Sequence, residues 1–191
     1  MTKYILHGGF TKEDNEWNRT FFEEFVKDIP SGGKVLLVYF ASRTEEQLQA
    51  SSKEHTQMLK DRFVNKNLNI IVATKENFLE EFKQSNAVFF NGGSTNQLVE
   101  VLKTYPDLKP FVEGKTIAGS SAGAYMLATL GTSHSEGVVR EGLGFIPVKV
   151  VCHFESTKLP PSLIAIEALK NTRQELEIVY LKDYEWKVFN S

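Results

Sequence analysis

The run Gly119-Ser120-Ser121-Ala122-Gly123 sets a hydroxyl between two glycines, each two residues away. This is the G-x-S-x-G spacing of a nucleophile carried on a sharp strand-to-helix turn, where a β-carbon at either glycine would collide with neighbouring backbone. The pattern assigns the nucleophile to Ser121. Its context agrees, because the apolar segment Thr116–Ala118 precedes it and Ala124-Tyr125-Met126-Leu127-Ala128 reads as the start of a helix. Amides at that helix N-terminus would favour negative charge developing beside the serine. The rival reading is a glycine-serine turn that binds phosphate or nothing, but a phosphate loop of the P-loop kind brings a lysine after its glycines and none stands here.

A serine hydroxyl needs a base, and histidine, with an ordinary pKa near ~6.5, is the usual one. His153 ends the apolar run Val148-Lys149-Val150-Val151-Cys152 and should emerge at a strand's carboxyl end. His134 lies in a polar stretch and His55 on a charged helix face, which makes both weaker candidates. Cys152 should point away from His153 and behave as a small buried apolar group. For the carboxylate that orients the imidazole, Glu136 follows the serine helix most closely, Glu141 competes with it, and Glu155 enters if the interval is stretched past the histidine.

Two further glycine turns follow apolar runs. Phe90-Asn91-Gly92-Gly93-Ser94-Thr95-Asn96-Gln97-Leu98 can turn backbone amides toward an oxyanion, with Ser94 or Thr95 capping the next helix. His7-Gly8-Gly9 closes the first apolar run, and its histidine reads as structural. In a parallel sheet ligands gather at the carboxyl ends of the strands, so all three loops should meet on one edge.

The elements required to bring them there are legible. Short apolar runs alternate with amphipathic stretches, the rhythm of βα units. Strands are expected over Tyr4–His7, Val35–Ala41, Leu68–Ala73, Ala87–Asn91, Thr116–Ala118 and Lys149–His153, several as continuous apolar runs that suit a sheet covered on both faces. Helices are expected over Asp14–Asp28, Glu45–Phe63, Lys75–Lys83, Asn96–Thr104, Ala122–Ala128 and Ser162–Arg173, the last opened by Pro160-Pro161. Trp17, Phe21, Phe25 and Ile29 form a four-residue stripe that should face the core. Leu176–Leu181 and Trp186–Phe189, around Lys182-Asp183-Tyr184-Glu185, read as a terminal hairpin whose second strand lies on an edge.

With 191 residues the chain has the length of about one domain, residues 1–191. A net charge of −2 weighs against non-specific nucleic-acid binding, and no apolar run is long enough to span a bilayer. The N-terminus lacks a signal-peptide layout, so the expectation is cytoplasmic. One cysteine excludes an intramolecular disulfide, and four scattered histidines offer no metal-ligand spacing, so chemistry without metal or cofactor is expected.

The glycine loop Gly92-Gly93-Ser94-Thr95-Asn96-Gln97-Leu98, followed by Gly119-Ser120-Ser121-Ala122-Gly123-Ala124 and a histidine about thirty residues on, resembles the peptidase E family of serine peptidases. The resemblance implies a flavodoxin-like three-layer α/β sandwich related to class I glutamine amidotransferases, with a mostly parallel central sheet. It also implies Ser121 as nucleophile, His153 as base, Glu136 as acidic member and the amides of Gly93 and Ala122 as oxyanion donors. Gly92 and Ser94, with the cations Arg140 and Lys158, are the candidates for substrate contact. The implied activity is hydrolysis of small peptides, dipeptides in particular, by a monomer or homodimer. The family's asparagine before the threonine is replaced by Ser94, its bulky residue after it by Asn96, and its arginine beyond the base has no counterpart near Glu167. These departures favour the rival reading, a noncatalytic binding or regulatory protein on the same scaffold.

Overall fold

The computed structural model describes residues 1–132 and 137–191. Five parallel strands, β1 (Lys3–His7), β2 (Lys34–Val38), β3 (Asn69–Val72), β4 (Ala87–Phe90) and β5 (Thr116–Ser120), join an antiparallel β10 (Trp186–Asn190) in one sheet of order β10-β1-β5-β4-β2-β3. Alternate side chains of these strands enter two different cores. Ile5, Val35, Leu37, Phe89 and Ala118 pack on the face covered by α1 (Glu16–Val26) and α2 (Glu45–Arg62). Leu6, Leu36, Val38, Phe90 and Ile117 pack with α3 (Phe78–Gln84), α4 (Thr95–Leu102) and α5 (Ala122–Leu127). Burial on both faces is why these strands are continuous apolar runs. A side chain such as Phe21, Phe25 or Phe89, fully enclosed, contributes roughly 2–3 kcal/mol by removal of apolar area from water.

A second sheet of order β7-β6-β8-β9 stands beside the first, built from β6 (Ala128–Thr132), β7 (Val139–Glu141), β8 (Ile146–Val151) and β9 (Ile178–Tyr180). Its residues Ile146, Val148, Val150 and Val179 share the core of α3 to α5, so the two sheets are packed together rather than merely linked. α6 (Leu163–Asn171) covers its other face through Ala165, Ile166 and Leu169. Under the end of that helix Lys149 is fully buried, its Nζ donating to the carbonyls of Leu169 at 3.1 Å and Thr172 at 2.9 Å, at the end of α6 where carbonyls have fewer helical partners.

Four expectations need correction. The two C-terminal segments do not form a hairpin: β9 runs parallel to β8 in the second sheet while β10 crosses to pair antiparallel with β1. The edge position of the last strand does hold. Trp17 is 58% exposed and leaves the stripe, whose Phe21, Phe25 and Ile29 are buried. His55, assigned to a charged face, is buried between Tyr39 and Thr11, bonding Tyr39 Oη at 2.9 Å and Thr11 Oγ1 at 3.2 Å. Pro160-Pro161 lie outside α6, which starts at Leu163 with Ser162 as its cap.

Candidate active site

Ser121 stands between β5 and α5 with φ +49° and ψ −104°, a backbone conformation that L-residues seldom adopt and that costs on the order of 1–3 kcal/mol. The turn closes because its flanks are glycine. A β-carbon on Gly119 would lie 2.4 Å from the Gly123 carbonyl carbon, and one on Gly123 would lie 2.2 Å from the Phe90 carbonyl oxygen. The Ser121 amide donates to the His7 carbonyl at 2.9 Å, tying the turn to β1.

His153 comes from the second sheet. It lies two residues beyond β8, with φ +55°, and is almost wholly buried. Its Nε2 is 3.2 Å from Ser121 Oγ and its Nδ1 is 2.7 Å from Asp183 Oδ1. Since a carboxylate only accepts, Nδ1 carries the proton and Nε2 is free to accept from the serine hydroxyl. Burial lowers the His153 pKa below its ordinary value, opposed by the Asp183 carboxylate, so the ring is neutral near pH 7. A hydroxyl, an imidazole and a carboxylate are thus aligned for proton transfer away from the hydroxyl.

Asp183 lies well beyond the sequence candidates Glu136, Glu141 and Glu155. It sits in the turn after β9, and because β9 is parallel to β8 with Val151 opposite Tyr180, residues just past both strands become neighbours. The Phe154 amide donates to the Leu181 carbonyl at 2.9 Å in that same step. An apolar run ending in an aspartate, Ile178-Val179-Tyr180-Leu181-Lys182-Asp183, was the available signal. Glu136 and His134 lie outside the described residues. Glu141 is exposed on β7, opposite Leu130, and Glu155 pairs with Lys182.

Gly92 borders the serine: a β-carbon there would stand 3.4 Å from Ser121 Cβ. Ala122 opens α5, where first-turn amides have no partner within the helix. Gly92, Gly93, Ser120, Ser121 and His153 line one cleft of about 710 Å³, which extends to Arg43 and Gln47 at the start of α2. Ser94 does not line it; its hydroxyl caps α4 by accepting from the Gln97 amide. Arg140 is on β7, away from the cleft lining. Lys158 is held by Glu13 Oε1 at 2.8 Å and Tyr184 Oη at 3.2 Å, so its charge is already matched. Two cations line the cleft, Lys12, paired with Glu54 at 3.1 Å, and Arg43, two residues beyond the Ala41 carbonyl that accepts the Ser94 amide; sequence reading singled out neither. Among the described residues no three His, Cys, Asp or Glu side chains converge to hold a metal ion, and no helix is long and apolar enough to cross a membrane.

A doubly covered parallel sheet with a serine on a strained strand-to-helix turn, faced by a histidine and a carboxylate, defines a hydrolase scaffold of the serine type. The sequence matches peptidase family S51 over residues 4–190, and the chain belongs to that family of serine peptidases. Two solved structures share the fold: a peptidase from an acI-B1 Actinobacterium, at 19% identity and TM-score 0.77 over 100% of this chain and 84% of that one, and a putative peptidase E protein from Listeria monocytogenes EGD-e, at 15% identity and TM-score 0.63 over 100% and 98%. No curated protein matches the sequence.

Proposed function

We propose that the chain hydrolyses short peptides, dipeptides foremost, through an acyl-enzyme on Ser121. The observation that carries this reading is the 3.2 Å approach of His153 Nε2 to Ser121 Oγ with Asp183 behind the ring at 2.7 Å. Ser121 Oγ attacks the scissile carbonyl carbon while His153 Nε2 takes its proton, and Asp183 holds the ring in the required tautomer and stabilises the imidazolium. The amides of Gly93 and Ala122 receive the oxyanion of the tetrahedral intermediate. Its collapse breaks the C–N bond as His153 returns the proton to the leaving amine. Water, deprotonated by the same imidazole, then attacks the ester, and the imidazolium returns that proton to Ser121 Oγ as the C–O bond breaks. Arg43, which lines the cleft where Lys158 and Arg140 do not, faces the substrate.

The test is labelling with a fluorophosphonate, followed by a dipeptide panel. Wild type should become covalently labelled and release amino acids, and Ser121→Ala should do neither. A folded wild type that is never labelled would leave the noncatalytic reading in its place.

A further inference from the structure

The third glycine turn, His7-Gly8-Gly9, does not offer its amides to an oxyanion. The Gly8 amide donates to the Glu185 carbonyl at 2.8 Å and the Gly9 amide to His7 Nδ1 at 3.0 Å. What the turn does is stand against the imidazole of His153. A β-carbon on Gly9, whose φ is +136°, would lie 2.0 Å from His153 Cε1, so only glycine leaves room for the ring. Phe10, itself at φ +60°, meets the same ring edge-on with centroids 4.8 Å apart. The Gly9 carbonyl also accepts from the Tyr184 amide at 3.3 Å, next to Asp183. Residues 8–13 therefore form a shelf touching both His153 and the turn that carries its carboxylate.

Two buried side chains hold that shelf, and neither reaches the cleft. His7 accepts the Gly9 amide on Nδ1, so its proton is on Nε2, 2.9 Å from Asn18 Oδ1. The orientation of the Asn18 amide is thereby set, and its Nδ2 donates to the carbonyls of Phe10 at 2.8 Å and Glu13 at 2.7 Å. Each polar side-chain atom of the pair is used, in a setting where an unpaired one is expensive. Burial drives the His7 pKa down to about 3, so the network keeps the same proton arrangement throughout the neutral range.

We propose that Asn18, through His7 and the shelf of residues 8–13, is a positioning residue that sets the His153 imidazole against Ser121. This rests on the proposed roles of Ser121 and His153. Removing the two Asn18 donors frees the Phe10 and Glu13 carbonyls to seek water, the shelf backs away, and the ring gains freedom and solvent. A displacement of about 1 Å at a reacting group can lower rates on the order of a hundredfold.

The experiment measures the second-order rate of fluorophosphonate labelling, per folded protein, from pH 4.5 to 9 in wild type, Asn18→Ala and Asn18→Asp. Asn18→Asp keeps the acceptor for His7 and loses both donors. The proposal expects a ten- to hundredfold slower rate in each folded variant. It also expects the acid limb to move up in pH, since His153 would lose part of the burial that depresses its pKa while keeping Asp183 as its charged neighbour. A merely structural role would lower the melting temperature but leave the limb in place. His7→Phe keeps a ring packed against Phe21 but removes both bonds that link Asn18 to the Gly9 amide, without adding an atom at His153, and must reproduce the loss, which covers the case in which the Asn18 variants do not fold. Rates within threefold of wild type with an unmoved limb overturn the proposal, whereas failure of the wild type to label at all overturns the underlying reading instead.

Discussion

Asp183→Asn separates the orienting role of this carboxylate from its bulk, because the two side chains are nearly isosteric. In wild type the 2.7 Å contact from His153 Nδ1 to Asp183 Oδ1 fixes the proton on Nδ1. An asparagine can place its NH2 there instead, which makes Nδ1 the acceptor and leaves Nε2 protonated, facing Ser121 Oγ at 3.2 Å with nothing to receive the serine proton. The ring is almost wholly buried and in contact with Phe10 and the Gly9 turn, so it cannot easily flip to recover the productive tautomer. The corresponding substitution in serine peptidases lowers turnover by about 10⁴, or ~5.5 kcal/mol of transition-state stabilisation. The assay is hydrolysis of the best dipeptide found, with fluorophosphonate labelling beside it and a urea melt to establish that the variant is folded. Activity within tenfold of wild type would refute the assignment of Asp183. In that event Glu136→Gln, silent if Asp183 acts, should carry the loss.

Because His153 must be neutral to accept a proton and its pKa is lowered by burial, the labelling rate should rise with pH along a limb below 6.5 and level off above it; a limb well above 6.5 would contradict the buried geometry. Ser121→Gly should abolish activity yet stabilise the fold relative to Ser121→Ala by about 1 kcal/mol in urea melts, the strain relieved exceeding the extra unfolded-state freedom of glycine. Gly123→Ala should fail to fold or lose more than about 3 kcal/mol, since its β-carbon meets the Phe90 carbonyl at 2.2 Å. His7 and His55 have pKa values lowered by burial to about 3 and about 4. The unfolded chain thus binds more protons below pH 6.5, and stability present above that value is lost on acidification toward the folded-state values, by up to about 1.4 kcal/mol per pH unit for each histidine. Urea melts between pH 7 and 4.5 should show that slope, and His55→Phe should remove the share due to His55.

The parts of the site that belong to the first sheet were readable from local pattern. Gly119, Ser121 and Gly123 announce the turn because the turn tolerates little else, and the expected strands and helices of residues 1–127 fall within a few residues of those observed. Of the second sheet, β8 and β9 were legible as strands, but β6, β7 and the sheet that joins them were not. β6 and β7 are short, and Ala128–Thr132 begins where α5 ends, so the apolar run read as a helix continuing to Ala128. Without β6 there is no reason to place β9 beside β8, and without that pairing Asp183 has no route to His153. The hairpin reading failed for the same reason: Ile178–Tyr180 and Trp186–Asn190 look like partners along the chain, and which sheet each joins is a tertiary choice.

The site is therefore assembled across a seam. Ser121 is placed by β5 and held by the His7 carbonyl of β1, whereas His153 and Asp183 hang from the ends of β8 and β9. Three kinds of contact span the gap. Tyr125 in α5 accepts the Cys152 amide at 3.0 Å, apolar residues of both sheets share one core, and the turn after β1 meets the turn after β9 through Gly8, Gly9 and Glu13. The first and third lie within a residue or two of a group in the relay. A shift of one sheet against the other would consequently appear first as a longer separation between Ser121 Oγ and His153 Nε2, while the 2.7 Å bond between His153 and Asp183, made within the second sheet, would survive it. Perturbations at the seam should separate loss of nucleophilicity from loss of the imidazole's orientation, which substitution of the three groups themselves cannot do.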